Sequence, residues 1–249
     1  APRTIVTAHE AGWQWKMPLQ HRQGNGYVYS SRFTDDETAK KRLLENIDGR
    51  LITHPRTFSF TPGRRNRAWN KNCIAVGLAA GFLEPLESTS IALVETAIDK
   101  IVQSLAQLTY DQKIVEHFNH VTQLEYECVR DFIILHYKAN QRNDSLMWRY
   151  CQNMSVPKSL QTRMDIYQSS GKLARSAWDM FGADSWLAIY HGFNFLPQTY
   201  ATKIDSIPLE QVQNGLLKMK GDIAKYTAKA PPHHHFLAQH FDYQSSKQE

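Results

Sequence analysis

The sequence predicts an α/β protein of the α+β kind, with antiparallel strands in its first third and helices after them. Two observations carry this. Residues 3–31 alternate apolar and polar positions, the period of a half-buried strand. From about residue 87 onward, apolar side chains recur every three or four positions, the period of a helix packed along one face. A chain of 249 residues with 42% hydrophobic, 11% aromatic and 21% charged residues is also long and apolar enough to bury a substantial core.

Taken in order, the strand region contains Asn25-Gly26, a strong two-residue hairpin signal, so a turn is expected there before a strand through Tyr27, Val28 and Tyr29. Trp13 and Trp15 alternate in the preceding strand, so both indoles project to one face. On periodicity alone they form a pair that packs the sheet on the core. Asp35, Asp36 and Glu37 open a short helix over residues 35–48. Extended chain returns over 51–69, with Pro62-Gly63 as a turn. Residues 72–85 read as a short buried strand passing into small residues that let backbone approach something closely.

A long helix is then predicted from Glu87 through Ile91, Leu93, Val94, Ala97, Ile98, Ile101, Val102 and Leu105. A second spans about 111–140 through Val115, Phe118, Val121, Leu124, Cys128, Phe132 and Leu135. Asn143-Asp144-Ser145 breaks the chain and caps a short helix, and Val156-Pro157-Lys158 starts another. Segments 173–190 and 208–228 are helical in pattern, and the final residues, QSSKQE, read as a tail.

Composition removes several functional classes. The net charge of +5 is mild, and the basic residues are scattered apart from Arg64-Arg65-Asn66-Arg67 and Lys40-Lys41-Arg42, so nucleic acid is not an indicated partner. The three cysteines, Cys73, Cys128 and Cys151, are too widely spaced for a disulfide framework or a metal-ligand pattern, which suits a reducing compartment. No apolar run reaches the roughly 18 residues that span a bilayer, so a cytoplasmic protein without a membrane partner is expected. His233, His234 and His235 are consecutive and cannot converge on one ion from a helix, so no metal is expected.

The chemistry concentrates in GFLEPLESTS, residues 81–90. A helix N-terminus presents free N–H groups and partial positive charge, and hydroxyls add donors. Ser88, Thr89 and Ser90 therefore either cap the helix or hold a small anion at it. Glu87 discriminates, because a cap does not require a preceding carboxylate. A carboxylate crowded by apolar groups and facing a confined cavity beside that anion pocket has its pKa raised and takes or gives a proton near neutral pH. Glu84, between Phe82-Leu83 and Pro85, reads as a turn residue making structural hydrogen bonds. His136-Tyr137 read as satisfied polar groups on a packed element.

Several ordered motifs together resemble the flavin-dependent halogenases, the tryptophan halogenases and their relatives. Gly12-Trp13-Gln14-Trp15-Lys16-Met17-Pro18 is similar to their W-x-W-x-I-P signature, with Met17 where isoleucine is usual. The likeness continues through Gly26-Tyr27-Val28-Tyr29-Ser30-Ser31, Trp69-Asn70-Lys71-Asn72-Cys73 and residues 81–90. It implies reduced FAD, supplied by a separate flavin reductase, whose hydroperoxide is attacked by chloride or bromide to give hypohalous acid. That acid passes through a tunnel to an electron-rich aromatic substrate. By resemblance, Glu87 is the catalytic carboxylate, Thr89 and Ser90 with Ser88 hold halide, and Leu78 and Ile91 contact the flavin. Trp13, Trp15 and Pro18 form the wall that keeps substrate from the flavin. Ser90 replaces the glycine of the best-known members.

The resemblance also implies what this sequence does not hold. The family's Gly-rich phosphate turn and its catalytic lysine belong to an N-terminal half, and no G-x-G-x-x-G occurs here. The chain thus looks like a C-terminal half, either a fragment, or completed by a partner polypeptide or a homodimer partner, or a relic, and alone it is expected not to hold FAD tightly. Residues 1–110 are assigned to the flavin and halide module and 111–249 to a helical substrate-binding region. Region 172–197 is short and lacks the paired tyrosines that grip tryptophan, so an indole, a phenol or a larger aromatic is the expected substrate. A flavin monooxygenase of related fold and a helical binding scaffold are the competing readings.

Overall fold

The computed structural model describes residues 3–105 and 111–241. The chain opens with an antiparallel sheet in the order β1 (Ile5–His9), β2 (Gly12–Pro18), β3 (Gln23–Tyr29). Asn25-Gly26 is not the hairpin turn: Lys16 pairs with Asn25 and Trp15 with Gly26 inside the ladder. The turn lies at residues 19–22, closed by the Leu19 N–H donating to the Arg22 carbonyl at 2.9 Å. A turn at 25–26 would have left β3 too short to pair the whole of β2, and the gain from pairing Gly12 through Pro18 outweighs the local turn preference. Helix α1 (Asp36–Glu45) follows, with Asp35 accepting the Thr38 N–H at 2.8 Å as its N-cap.

The predicted buried strand at 72–85 is absent. The segment divides into two-residue strands: β5 (Trp69–Asn70) pairs with β6 (Cys73–Ile74), and β4 (Gly63–Arg64) pairs with β7 (Gly81–Phe82). Pro62-Gly63 therefore leads into a strand rather than a turn. Gly77, at φ +62°, breaks the run into a 3-10 turn at Gly77–Ala79. What the small residues approach is now visible: a Cβ on Gly81 would lie 2.7 Å from the Gly63 carbonyl oxygen and 2.9 Å from Tyr126.

Helix α2 (Ser90–Leu105) starts three residues later than the periodicity suggested, because Ser88 takes a left-handed φ of 54° that no helix continues through. Helix α3 (Gln112–Lys138), capped by Asp111, is the element around which the rest packs. Its Val115 and Phe118 meet Ala68 and Trp69, and its Tyr126, Val129 and Ile133 meet Leu93 of α2. Phe132 and Leu135 join Leu160, Met164 and Tyr167 of α5 (Lys158–Ser170) and Trp186 and Tyr190 of α6 (Ala183–Gly192). Each such side chain contributes about 1.5–3 kcal/mol by leaving water.

Helix α4 (Leu146–Asn153), capped by Ser145, seats the sheet on α3. Trp148, fully buried, donates its indole N–H to the His9 carbonyl at 2.7 Å and lies edge-on to Trp13 at 5.1 Å. Residues 173–182 are not helical as predicted. They wrap Asp179, which accepts both Arg163 nitrogens (3.0 and 2.8 Å) and the Ser176 N–H (2.8 Å), and these bonds replace a helical ladder. Helix α7 (Leu209–Lys229) contributes no buried residue, and Leu209, Leu216, Leu217, Met219, Ile223 and Tyr226 stand exposed along it. A further helix, α8 (His233–His240), was not foreseen and contains the histidine run. The tail QSSKQE lies outside the described residues. Among the described residues no helix is long and apolar enough to cross a membrane.

Candidate active site

The loop between β7 and α2 holds both glutamates. Leu83 and Leu86 anchor it on the cluster of Leu93, Tyr126, Val129 and Ile133, and the Ser88 N–H donates to the Pro85 carbonyl at 3.1 Å. The loop makes one tight bend, and both carboxylates turn toward the last turn of α3.

Glu84 accepts from the Tyr137 hydroxyl at both oxygens, 2.9 and 2.8 Å. Burial pushes its carboxyl up to about 7 from 4.5, with the Tyr137 hydrogen bond and nearby His136 opposing the rise. Burial and the adjacent Glu84 charge raise the Tyr137 phenol in turn. Glu87 meets the next residue back on the same helix: its Oε1 lies 2.7 Å from His136 Nε2. His136 Nδ1 lies 2.8 Å from the Phe132 carbonyl.

A cavity of about 420 Å³ opens beside this loop, walled by Leu83, Glu84, Tyr126, Arg130, Ile133 and Tyr137 among others. Glu87 is not on its wall. The expectation that Glu87 faces the cavity is therefore corrected: loop curvature turns Glu84 toward it and Glu87 toward His136. The reading of Glu84 as a turn residue making structural hydrogen bonds named no partner and missed its place on the cavity.

Trp13 lies edge-on to Tyr137, ring centroids 5.9 Å apart, so the strand carrying the tryptophan pair backs the helix that holds Glu84. Its buried N–H forms no hydrogen bond of normal geometry, yet lies near enough to the Tyr137 hydroxyl to oppose that phenol's rise. Trp15 is buried, while Pro18 stands exposed at the end of β2. Thr89 is buried, Ser88 exposed and Ser90 between the two. The Leu93 N–H donates to the Thr89 carbonyl at 3.0 Å, and among the described residues none of the three hydroxyls makes a side-chain hydrogen bond. Leu78 and Ile91, on adjoining elements, are 75% and 73% exposed and so are not spent on the chain's own core. No group of three or more His, Cys, Asp or Glu side chains is placed to hold a metal among the described residues.

His136 and Tyr137, read from sequence as satisfied polar groups on a packed element, are hydrogen-bonded as expected, but that their partners are the two loop glutamates was not foreseen. Their sequence signal was two polar side chains in succession directly after the apolar run at residues 132–135.

This sheet, helical remainder and glutamate-bearing loop define a chain of the flavin-dependent halogenase fold. BrvH, a flavin-dependent halogenase from Brevundimonas sp. BAL3, superposes with a TM-score of 0.91 at 46% identity, over 96% of this chain and 49% of that one. Xcc4156, a flavin-dependent halogenase from Xanthomonas campestris, gives 0.92 at 39% identity, over 96% and 48%. The tryptophan halogenase profile matches residues 1–208, and the chain belongs to that family. Among curated relatives, the tryptophan 6-halogenase SttH of Streptomyces toxytricini is 34% identical over 168 residues, 67% of this chain and 32% of that protein. The chain thus spans about half the length of these two halogenase structures and between 32% and 45% of the first curated relatives.

Proposed function

We propose that this chain carries the halide-delivery loop and the helical substrate region of a flavin-dependent halogenase that chlorinates or brominates an electron-rich aromatic such as an indole. The observation that carries the reading is the placement of Glu87. Its Oε1 is held by His136, and among the described residues no side chain hydrogen-bonds Oε2, which we assign the role of accepting a proton. Next to it stands a helix N-terminus with three hydroxyls that make no side-chain hydrogen bond among the described residues, which suits a monatomic anion.

Molecular oxygen, activated by reduced FAD that a separate reductase would supply, would be the two-electron oxidant that turns halide into hypohalous acid. Leu78 and Ile91 fit the flat apolar face of its ring system, while the sequence holds no glycine-rich turn for its diphosphate. The residues in hand do the rest. Thr89 and Ser90, with Ser88, hold halide through hydroxyls and backbone N–H groups. Glu87 hydrogen-bonds the acid and orients its halogen toward the ring. The ring carbon forms its bond to halogen as the halogen–oxygen bond breaks, the ring C–H proton passes to Glu87, and the departing hydroxide, which keeps the acid's own hydrogen, leaves as water with the equivalent of that ring proton. Trp13 and Trp15 separate aromatic substrate from flavin, which disfavours direct hydroxylation.

The test is product analysis after complementing the chain with the portion of BrvH that it does not span, reduced flavin, bromide and indole. Brominated indole is expected, and Glu87→Gln should lower its formation by about 100-fold or more. Hydroxylated product formed without halide would favour a monooxygenase, and no product from a panel of aromatics would favour a scaffold. Indole should be turned over faster than tryptophan, and equal turnover would contradict the open substrate site.

A further inference from the structure

We propose that His136 is the positioning residue for Glu87, fixing the rotamer of that carboxylate and the oxygen it presents to substrate. This role rests on Glu87 being the catalytic carboxylate, and geometry carries it. A carbonyl oxygen can only accept, so the 2.8 Å contact with the Phe132 carbonyl requires the hydrogen to sit on His136 Nδ1. That bond runs back one helical turn, from residue 136 to residue 132, and locks the ring's orientation to α3. The Phe132 ring stands edge-on to the imidazole at 5.0 Å and is itself stacked on Phe181 at 3.9 Å, so the side supporting the histidine is closed by packing.

With Nδ1 committed, Nε2 is the only ring atom left for Glu87, 2.7 Å away. One proton occupies the Nε2–Oε1 line, carried either as imidazolium with carboxylate or as imidazole with carboxylic acid, and the proton count is the same in both. Oε1 is thereby occupied and its direction fixed. Oε2 is the oxygen that receives the proton leaving the aromatic carbon, and the neighbouring imidazole shares the resulting charge. A structural strap alone would not need this arrangement, because Tyr137 already ties the same loop to the same helix through Glu84. The two consecutive α3 residues divide the work: Tyr137 holds the loop, and His136 aims Glu87.

The test begins with the 249-residue chain labelled with 15N-histidine, its His136 resonances assigned by their loss in His136→Gln. The expected spectrum has Nδ1 protonated, and Glu87→Gln should move the Nε2 resonance while leaving Nδ1 in place. A bare Nδ1, or an Nε2 resonance indifferent to Glu87→Gln, overturns the proposal. If Glu87→Gln does not fold, the wild-type tautomer pattern still decides. In the complemented enzyme, His136→Phe should lower kcat by about ten- to a hundredfold with KM for the aromatic nearly unchanged, and His136→Gln, which keeps a donor, should recover part of the loss. Unchanged kcat in His136→Phe also overturns the proposal. An inert wild type would count against the role of Glu87, while the spectra would still decide whether His136 holds it.

Discussion

The Tyr137 hydroxyl reaches both oxygens of Glu84, at 2.9 and 2.8 Å, and is the one side chain among the described residues that hydrogen-bonds this carboxylate. One donor cannot compensate the charge of a carboxylate enclosed on this loop, which is why burial wins and the carboxyl rises from 4.5 to about 7. The raised value means that the folded state binds this proton more tightly than the unfolded chain. Stability from this group is therefore full below about pH 4.5 and falls as pH climbs through about 7, by roughly 3 kcal/mol in all. Glu84→Gln should flatten that dependence, raising stability near pH 8 relative to wild type while changing it little near pH 5. Urea unfolding at the two pH values measures it, and an unchanged slope in the variant would contradict the assignment.

The two tryptophans that meet edge-on should differ in cost. Trp148→Phe strips the His9 carbonyl of its 2.7 Å donor as well as removing ring volume, whereas the Trp13 N–H has no hydrogen bond of normal geometry to lose. Trp148→Phe should therefore cost about 1–3 kcal/mol more than Trp13→Phe, read from denaturation midpoints at constant slope. Equal losses would mean that packing volume alone matters at this junction.

Glycines of the sheet separate in the same way. A Cβ at Gly12 would lie 1.9 Å from the Val28 carbonyl oxygen, while one at Gly26 meets nothing within 4 Å. Gly12→Ala must push β2 from β3 and should cost at least 1–3 kcal/mol, whereas Gly26→Ala should be close to neutral. Thermal unfolding of the two variants gives the comparison directly.

How far the sequence could be read follows from the range of each interaction. Helix α3 was legible because its stripe of Val115, Phe118, Val121, Phe132 and Leu135 repeats within the helix itself, and Ser145 was legible as part of a break and cap because a cap acts over two or three residues. The hairpin turn was misplaced because Asn25-Gly26 is a local signal, and the seven-pair register that overrules it involves residues on two strands. Segment 173–182 was misread for the same reason, since Arg163, from α5, organises it around Asp179.

The order of motifs along the chain, the strands before helices and the crowding of carboxylate and hydroxyl groups at one helix entrance are all written in the residues themselves, and they suffice to place the chain in its family. Which glutamate meets the cavity and which meets a histidine is decided elsewhere. Glu84 and Tyr137 are separated by 53 positions, and nothing in the intervening chain specifies that they touch. That choice belongs to the packing of the β7–α2 loop on α3, because burial, unlike helical period or capping, exists only once distant segments have closed over a group.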